Sequence, residues 1–277
     1  MNPGPILLMD AAYGSHTRQR FDLAVPAGYE KRGLILFIHG GSWTGGDKEY
    51  YRNALGEWAE KGFAAAAMNY RYLSQETLMD GLLGDISSAL GAIRDLADRE
   101  GVKLEKVLLT GASAGAHLSL LYAYSMMESA PIRPACVVEF CGPVLLTDEK
   151  ILYGTQDDPP PAEKWFRLFS DMTGVPFLPE NKEKFMPLLR RFSPLIYVSE
   201  RAVPTVICHG MKDTGVPFSQ AKALRDRLEG CGVEYAFLPM PRAGHSLTDQ
   251  PAIVREAEVL MEFYARRFLD GEEDKRN

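Results

Sequence analysis

Short apolar runs alternate with helical patterns along most of this chain. GLILFIHG (33–40) is continuous, apolar and closed by glycine, which predicts a strand buried on both faces. FAAAAMNYRY (63–72) predicts a second strand from its length and position, although alanine is a poor strand former. DISSALGAIRDLADREG (85–101) has apolar residues at helical spacing and stops at Gly101. EKVLLTGAS (105–113) predicts a third strand, with a helix over 114–128. PACVVEFCG (134–142) and VPTVICHG (203–210) predict the fourth and fifth strands. VPFSQAKALRDRLEGCG (216–232) is a helix with glycine stops, and VEYAFLPM (233–240) a sixth strand. QPAIVREAEVLMEFYARRFL (250–269) closes the chain as a helix with Pro251 near its first turn. RQRFDLAVP (18–26) adds antiparallel edge strands. This alternation predicts an α/β protein: a mostly parallel central sheet with helices on both faces.

One segment breaks the rhythm. Between Gly142 and Val203 the chain carries DDPPPAEKW, SDMTGVPFLPENKEK and many aromatics. A structureless loop of that length is at odds with a compact domain. The expectation is a single domain over 1–277 with a small, partly helical cap inserted at about 143–200. Most aromatics there, such as Phe166, Phe177, Phe185 and Phe192, are expected to hold the cap on the body. Trp165 and Phe169 are the candidates to line a ligand pocket, since such pockets are mostly apolar.

The candidate chemistry begins at Ser113, in GASAG (111–115), where a predicted strand runs directly into a predicted helix. A tight strand-to-helix turn strains its central residue and crowds the positions two before and two after it. That is the physical need behind G-x-S-x-G, met by Gly111 and Gly115. The turn holds the hydroxyl clear of the sheet, at a helix N-terminus that favours developing negative charge. A serine hydroxyl needs a base, and the base an orienting acid. Among five histidines, His245 in PRAGHSLTD follows the last strand, on the rim that carries Ser113. Asp213 in CHGMKDTGVP follows the fifth strand on the same rim, and it is also a candidate turn residue. His117 is expected to pack on the sheet, His209 to order the Asp213 loop, and His16 to be exposed. FIHGGSWTGGDK (37–48) places small residues after the first central strand, where N–H groups could meet an oxyanion. Gly41 and Ser42 are the expected donors, with Ala114 after the nucleophile. His39 is expected to hold the loop, and Trp43 to wall an acyl pocket or pack beneath. The same stretch is a near miss to a phosphate loop, since no lysine directly follows its second glycine.

Composition narrows the setting. Of 277 residues, 46% are hydrophobic and 25% charged, ample for a core without staples. The formal charge of −6 is scattered, with no basic stripe for a phosphate backbone, so nucleic acid is not expected as a partner. None of the four cysteines (Cys136, Cys141, Cys208, Cys231) forms a CxxC pair, which points to a reduced protein without a zinc site. MNPGPILLMDAAYG lacks a basic region, and ILLM is too short for a signal-peptide core. No run approaches the ~20 apolar residues of a membrane span. A cytoplasmic location is therefore expected. The tail DGEEDKRN is expected to fray. The oligomeric state is left open, a homodimer included.

HGGSW, NYRY, GASAGAH, HGMKDTGVP and AGHS, in this order, strongly resemble the α/β-hydrolase fold. Within it they are similar to hormone-sensitive-lipase-like esterases and the related small bacterial carbohydrate or feruloyl esterases. The likeness runs from about Tyr13 to Phe268. It departs at Ser42, where the family loop often has glycine or alanine, and at YLSQET, where a proline–glutamate pair is missing. The resemblance implies a serine esterase acting through an acyl-enzyme with Ser113, His245 and Asp213, and no metal or organic cofactor. It also implies structural roles for Arg71 and Asp85. A short acyl group, such as acetyl on a sugar or small alcohol, is the expected substrate. An amide hydrolase, such as an aryl formamidase or peptidase, could use the same machinery. A silent ligand-binding homologue, like the plant gibberellin receptors, is disfavoured because His245 is present.

Overall fold

The computed structural model describes residues 6–30, 33–153, 162–247 and 250–270, excluding the side chains of Tyr153, residues 162–165 and Pro179. Among these, one sheet contains β1 (Ile6–Ala12), β2 (Arg20–Val25), β3 (Gly33–Ile38), β4 (Ala64–Met68), β5 (Lys106–Ala112), β6 (Arg133–Phe140), β7 (Thr205–Gly210) and β8 (Tyr235–Met240). The helices are α1 (Arg52–Glu60), α2 (Met79–Arg99), α3 (Ala114–Ser125), α4 (Glu149–Tyr153), α5 (Ala162–Thr173), α6 (Lys182–Arg191), α7 (Ser219–Gly230) and α8 (Pro251–Tyr264), which continues as a π-helical turn to Asp270. The strand order is β1-β2-β4-β3-β5-β6-β7-β8, and only β2 runs against the others.

The continuous apolar runs follow from burial on both faces. Along β3, Leu34, Leu36 and Ile38 join the core shared with α2, α3 and α7, while Ile35 and Phe37 join the core under α1 and α8. The alanines of β4 divide in the same way: Ala64 and Ala66 face one side, Ala65 and Ala67 the other. Pairing on both sides, with β2 and β3, holds this stretch extended despite its low intrinsic preference.

Several boundaries differ from expectation. The segment expected at an edge, β2, is internal; the edge strand is β1, whose alternation of half-buried and exposed residues is too short to stand out. The second strand ends at Met68, because Asn69, Tyr70 and Arg71 turn away to bond loops and Asp85. Helix α2 begins six residues early, through Gly81 and Gly84, which weaken the local signal without breaking the helix. Helix α1, next to β4, is short, nine residues, and buries only Leu55 and Trp58; it was not expected. The segment between β6 and β7 does carry helices, α4, α5 and α6, and its Phe166, Phe169, Phe177 and Phe185 rings pack on one another.

The chain leaves β3 for β4 on one side and later enters β5 on the other. A crevice therefore opens outside the carboxyl ends of β3 and β5, the place where such sheets bind ligands. Ile38 pairs with Met68 on one side and Gly111 on the other, which brings the loop after β3 against the turn after β5.

Candidate active site

Ser113 joins β5 to α3 with φ 56° and ψ −120°, a region costing a non-glycine residue about 1–3 kcal/mol. Two backbone bonds hold it there: its N–H donates to the Phe140 carbonyl at 2.8 Å, and its carbonyl accepts from the His117 N–H at 3.0 Å. The flanking glycines are needed for close approach. A Cβ on Gly111 would lie 2.7 Å from the Gly115 carbonyl carbon and 2.3 Å from the Ile38 oxygen. A Cβ on Gly115 would lie 2.0 Å from that same oxygen. So the two glycines crowd each other, as expected, and both also crowd the end of β3.

These are backbone obstacles with no side chain to swing aside. Gly115→Ala is expected to cost about 3 kcal/mol or more of stability and to abolish activity. Gly84→Ala, at an exposed helical site with nothing within 4 Å, should instead gain about 0.5–1 kcal/mol. Chemical denaturation of both variants checks this; equal midpoints would contradict the close-approach argument.

Ser113, His245 and Asp213 meet at the rim. His245 Nε2 lies 3.0 Å from Ser113 Oγ, and its Nδ1 lies 2.7 Å from Asp213 Oδ2. The carboxylate can only accept, so Nδ1 carries the proton and Nε2 is free to take one from the serine. Asp213 is 7% exposed. Its Oδ1 accepts from the N–H groups of Gly215 (2.9 Å) and Val216 (2.8 Å), so it serves as turn residue and partner of His245 at once. Burial pushes its carboxyl upward, but the bonds from His245 and Val216 outweigh this and hold it below its ordinary value. His209 stands behind it. Its Nε2–H donates to the Val216 carbonyl at 2.8 Å and lies 3.4 Å from Asp213 Oδ2, while burial keeps the ring neutral. Gly210 lets the β7 end pass under the histidine loop: a Cβ there would sit 2.3 Å from the Gly244 oxygen.

The loop after β3 carries a run of left-handed residues, Gly41 (φ 114°), Ser42 (φ 52°) and Trp43 (φ 59°). They make a tight turn, in which the Thr44 N–H donates to the Gly41 carbonyl at 3.1 Å. Gly40 crosses directly over the Ser113 turn, where a Cβ would meet the Ala112 oxygen at 2.7 Å. Ala114 begins α3, where an N–H has no intrahelical acceptor. His39 is buried and stacked on Tyr70, and burial lowers it to about 4. Arg18 can only donate, so His39 Nε2 accepts from its guanidinium (3.1 Å) and Nδ1–H donates to the Gly40 carbonyl (2.8 Å). Arg18 also donates to the carbonyls of Gly46 and Tyr70, both at 3.0 Å, and lies 3.8 Å over the Tyr72 ring. Tyr72 adds a 2.6 Å bond to the Gly46 carbonyl. One side chain from before β2 thus ties both ends of the loop.

The proposed pocket residues fare differently. Trp43 is 4% exposed; its Nε1–H donates to His117 Nδ1 at 3.1 Å, and His117 Nε2–H donates to the Phe192 carbonyl at 2.8 Å. Trp43 therefore packs beneath the loop rather than walling a pocket. Phe169 is fully buried beside Phe177 rather than lining the cavity near Ser42. The cavity of about 300 Å³ beside the loop is lined instead by Ser42, Thr44, Ser74, Arg167, Leu168 and Asp171. Trp165 lies in α5, with its side chain outside the described residues. Arg71 and Asp85 form an ion pair at 2.7 Å that also caps the Arg71 N–H, away from the triad.

Sequence reasoning missed Arg18, Tyr72 and Glu139. Glu139 lies fully buried at the end of β6 and accepts from the Gly142 N–H; burial first, then the nearby Asp213 charge, raises it to about 8. Cys141, His209 and Asp213 bring possible ligand atoms within 4.8 Å of one another. Both Asp213 oxygens and His209 Nε2 are already committed to hydrogen bonds, which leaves a metal a poor donor set. No helix among the described residues is long and apolar enough to cross a membrane.

Comparison with known proteins agrees with this layout. The probable carboxylic ester hydrolase LipM of Mycobacterium tuberculosis (strain ATCC 25618 / H37Rv) is 26% identical, over 95% of this chain and 64% of its own. The chain spans roughly half to two thirds of the length of LipM and two further Mycobacterium tuberculosis esterases, LipC and LipQ. Among solved structures, a truncated carbohydrate esterase from gut microbiota superimposes with a TM-score of 0.73 at 19% identity, covering 94% of this chain and 96% of that one. Butyrate-bound Est2 from Thermogutta terrifontis gives 0.70 at 23% identity, covering 98% and 97%. The fold is thus that of the α/β-hydrolase esterases. The BD-FAE family model matches residues 21–228, which takes in the sheet, the β3 loop, the serine turn and Asp213, and the chain belongs to that family.

Proposed function

We propose that this chain is a serine hydrolase of carboxylic esters. The observation that carries this reading is the continuous relay Asp213–His245–Ser113, with contacts of 2.7 and 3.0 Å, beside a loop of left-handed residues. Ser113 Oγ attacks the acyl carbon as its proton passes to His245 Nε2. The N–H groups of Gly41, Ser42 and Ala114 stabilise the oxyanion. The C–O bond to the alcohol breaks, and the alcohol takes the proton from Nε2. Water then repeats the cycle on the acyl-enzyme, releasing the acid and restoring Ser113. These groups need no metal or organic cofactor.

The acyl group in this proposal is short, which the small cavity beside Ser42 favours. Structures of Est2 with propionate and butyrate bound point the same way. The described part of 143–200 acts as a small cap beside that cavity, through Arg167, Leu168 and Asp171; residues 154–161 lie outside the described residues. The free, mostly buried cysteines favour a cytoplasmic setting. Parallel assays on p-nitrophenyl acetate through decanoate, N-formylkynurenine and peptide anilides test the proposal. Fastest turnover of the short esters is expected. Faster hydrolysis of the formamide or anilide would replace the ester reading, and activity rising beyond octanoate would overturn the short acyl group.

A further inference from the structure

Two unlike cavities lie near the proposed site, one beside Ser42 and one beside His245. The one past Ser42 presents the hydroxyls of Ser42, Thr44 and Ser74 and the Arg167–Asp171 pair, 3.8 Å apart. The one past His245 is larger, about 520 Å³, and is walled by Ala112, Phe140, Leu247, Pro251 and Val254. Among the described residues its polar members are His245, Ser246 and Arg255, all exposed. Leu247 is buried and Val254 half-buried, so this wall is fixed partly by the core under α8.

We infer that the trough past His245 holds the alcohol half of the ester and selects apolar alcohols; this rests on the esterase reading above. The departing oxygen must take its proton from His245 Nε2, so it lies within hydrogen-bond reach of that nitrogen. The trough is bounded by His245 itself and by Ala112, the residue before the nucleophile. An alcohol leaving along this side enters the trough, while the acyl chain extends past Ser42. A sugar placed there would bury hydroxyls against aliphatic and aromatic walls with few partners, which is costly. An alkyl or benzyl group gains by each buried methylene. The alcohol expected here is therefore hydroxyl-poor, unlike the sugar that family likeness suggests.

Acetates of alcohols of near-equal acidity test this: ethyl, butyl, hexyl and benzyl acetate, with a 6-O-acetyl glucoside as the polar member. The kcat/KM is expected to rise along the alkyl series, with hexyl about tenfold above ethyl and the glucoside below ethyl. Val254→Trp, which fills the trough, should lower the hexyl-to-ethyl ratio at least about fivefold. The same substitution should leave the ratio of ethyl butyrate to ethyl acetate within about twofold, because that ratio reports the other cavity. A flat or falling alkyl series, the glucoside as best substrate, or a Val254→Trp effect on the acyl ratio instead would each overturn the inference. The wild-type series decides alone if the variant does not fold. Turnover of ethyl acetate with a flat alcohol profile removes only the trough assignment. No turnover of any ester, with Ser113 unreactive to a phosphonate, removes the esterase reading as well.

Discussion

Replacing Ser113 with alanine lowers ester turnover by about five to six orders of magnitude and leaves the fold intact. The large effect follows because the attacking oxygen is gone, and no other hydroxyl is placed 3.0 Å from His245 Nε2 among the described contacts. The fold is spared for a separate reason. Alanine keeps the Cβ that the strained turn already accommodates, and the backbone bonds to Phe140 and His117 do not involve the side chain. Residual activity over water comes from the oxyanion donors alone. The check is kcat with p-nitrophenyl acetate beside a thermal melt. Turnover within a hundredfold of the parent, with the melt unchanged, would mean that another group attacks.

Asp213→Asn should cost about ten-thousandfold in kcat with little change in overall structure. The asparagine oxygen would keep the N–H bonds from Gly215 and Val216, now made by Oδ1 at 2.9 and 2.8 Å. Its NH2 group would then face His245 Nδ1, which must accept. The ring proton moves to Nε2, points at Ser113, and the base is lost. The two N–H groups of Gly215 and Val216 hold the amide oxygen at the Oδ1 position against the single His209 Nε2–H, 3.4 Å from the other, so the NH2 stays toward His245. The pH dependence has a definite sign. Asp213 titrates lower in the folded protein than its ordinary value, so its contribution to stability is present above the unfolded carboxylate range, about 3.9. That contribution is lost as pH falls through the lower folded value, and the asparagine variant should lack this acid-dependent part. A kcat loss under tenfold would contradict the tautomer argument.

The proposed triad, Ser113, His245 and Asp213, is legible in the sequence because each member sits in a local pattern with a local cause. Gly111 and Gly115 bracket the turn at two positions that admit no Cβ, and His245 and Asp213 follow strands on the same rim. The parallel core was visible because β3 and β5 are buried on both faces and read as unbroken apolar runs. Edge strand β1 and helix α1 were not: β1 is half exposed, and α1 is only nine residues long with two buried side chains, Leu55 and Trp58. Arg18 gave no signal at all. Its partners Tyr70, Tyr72, His39 and Gly46 are between 21 and 54 positions away, and only the folded chain brings them together. Aromatic content in the cap suggested pocket walls, but Phe169 and its neighbours satisfy one another inside the cap. Aromatics in a short insertion are needed first for its own core.

Peptide mapping of the folded protein after brief exposure to a fluorophosphonate tests the central claim most directly. One adduct, on Ser113, formed rapidly in the parent and much more slowly in His245→Ala, is the predicted result. An unmodified Ser113 in folded protein, or an adduct confined to a different residue, would contradict it.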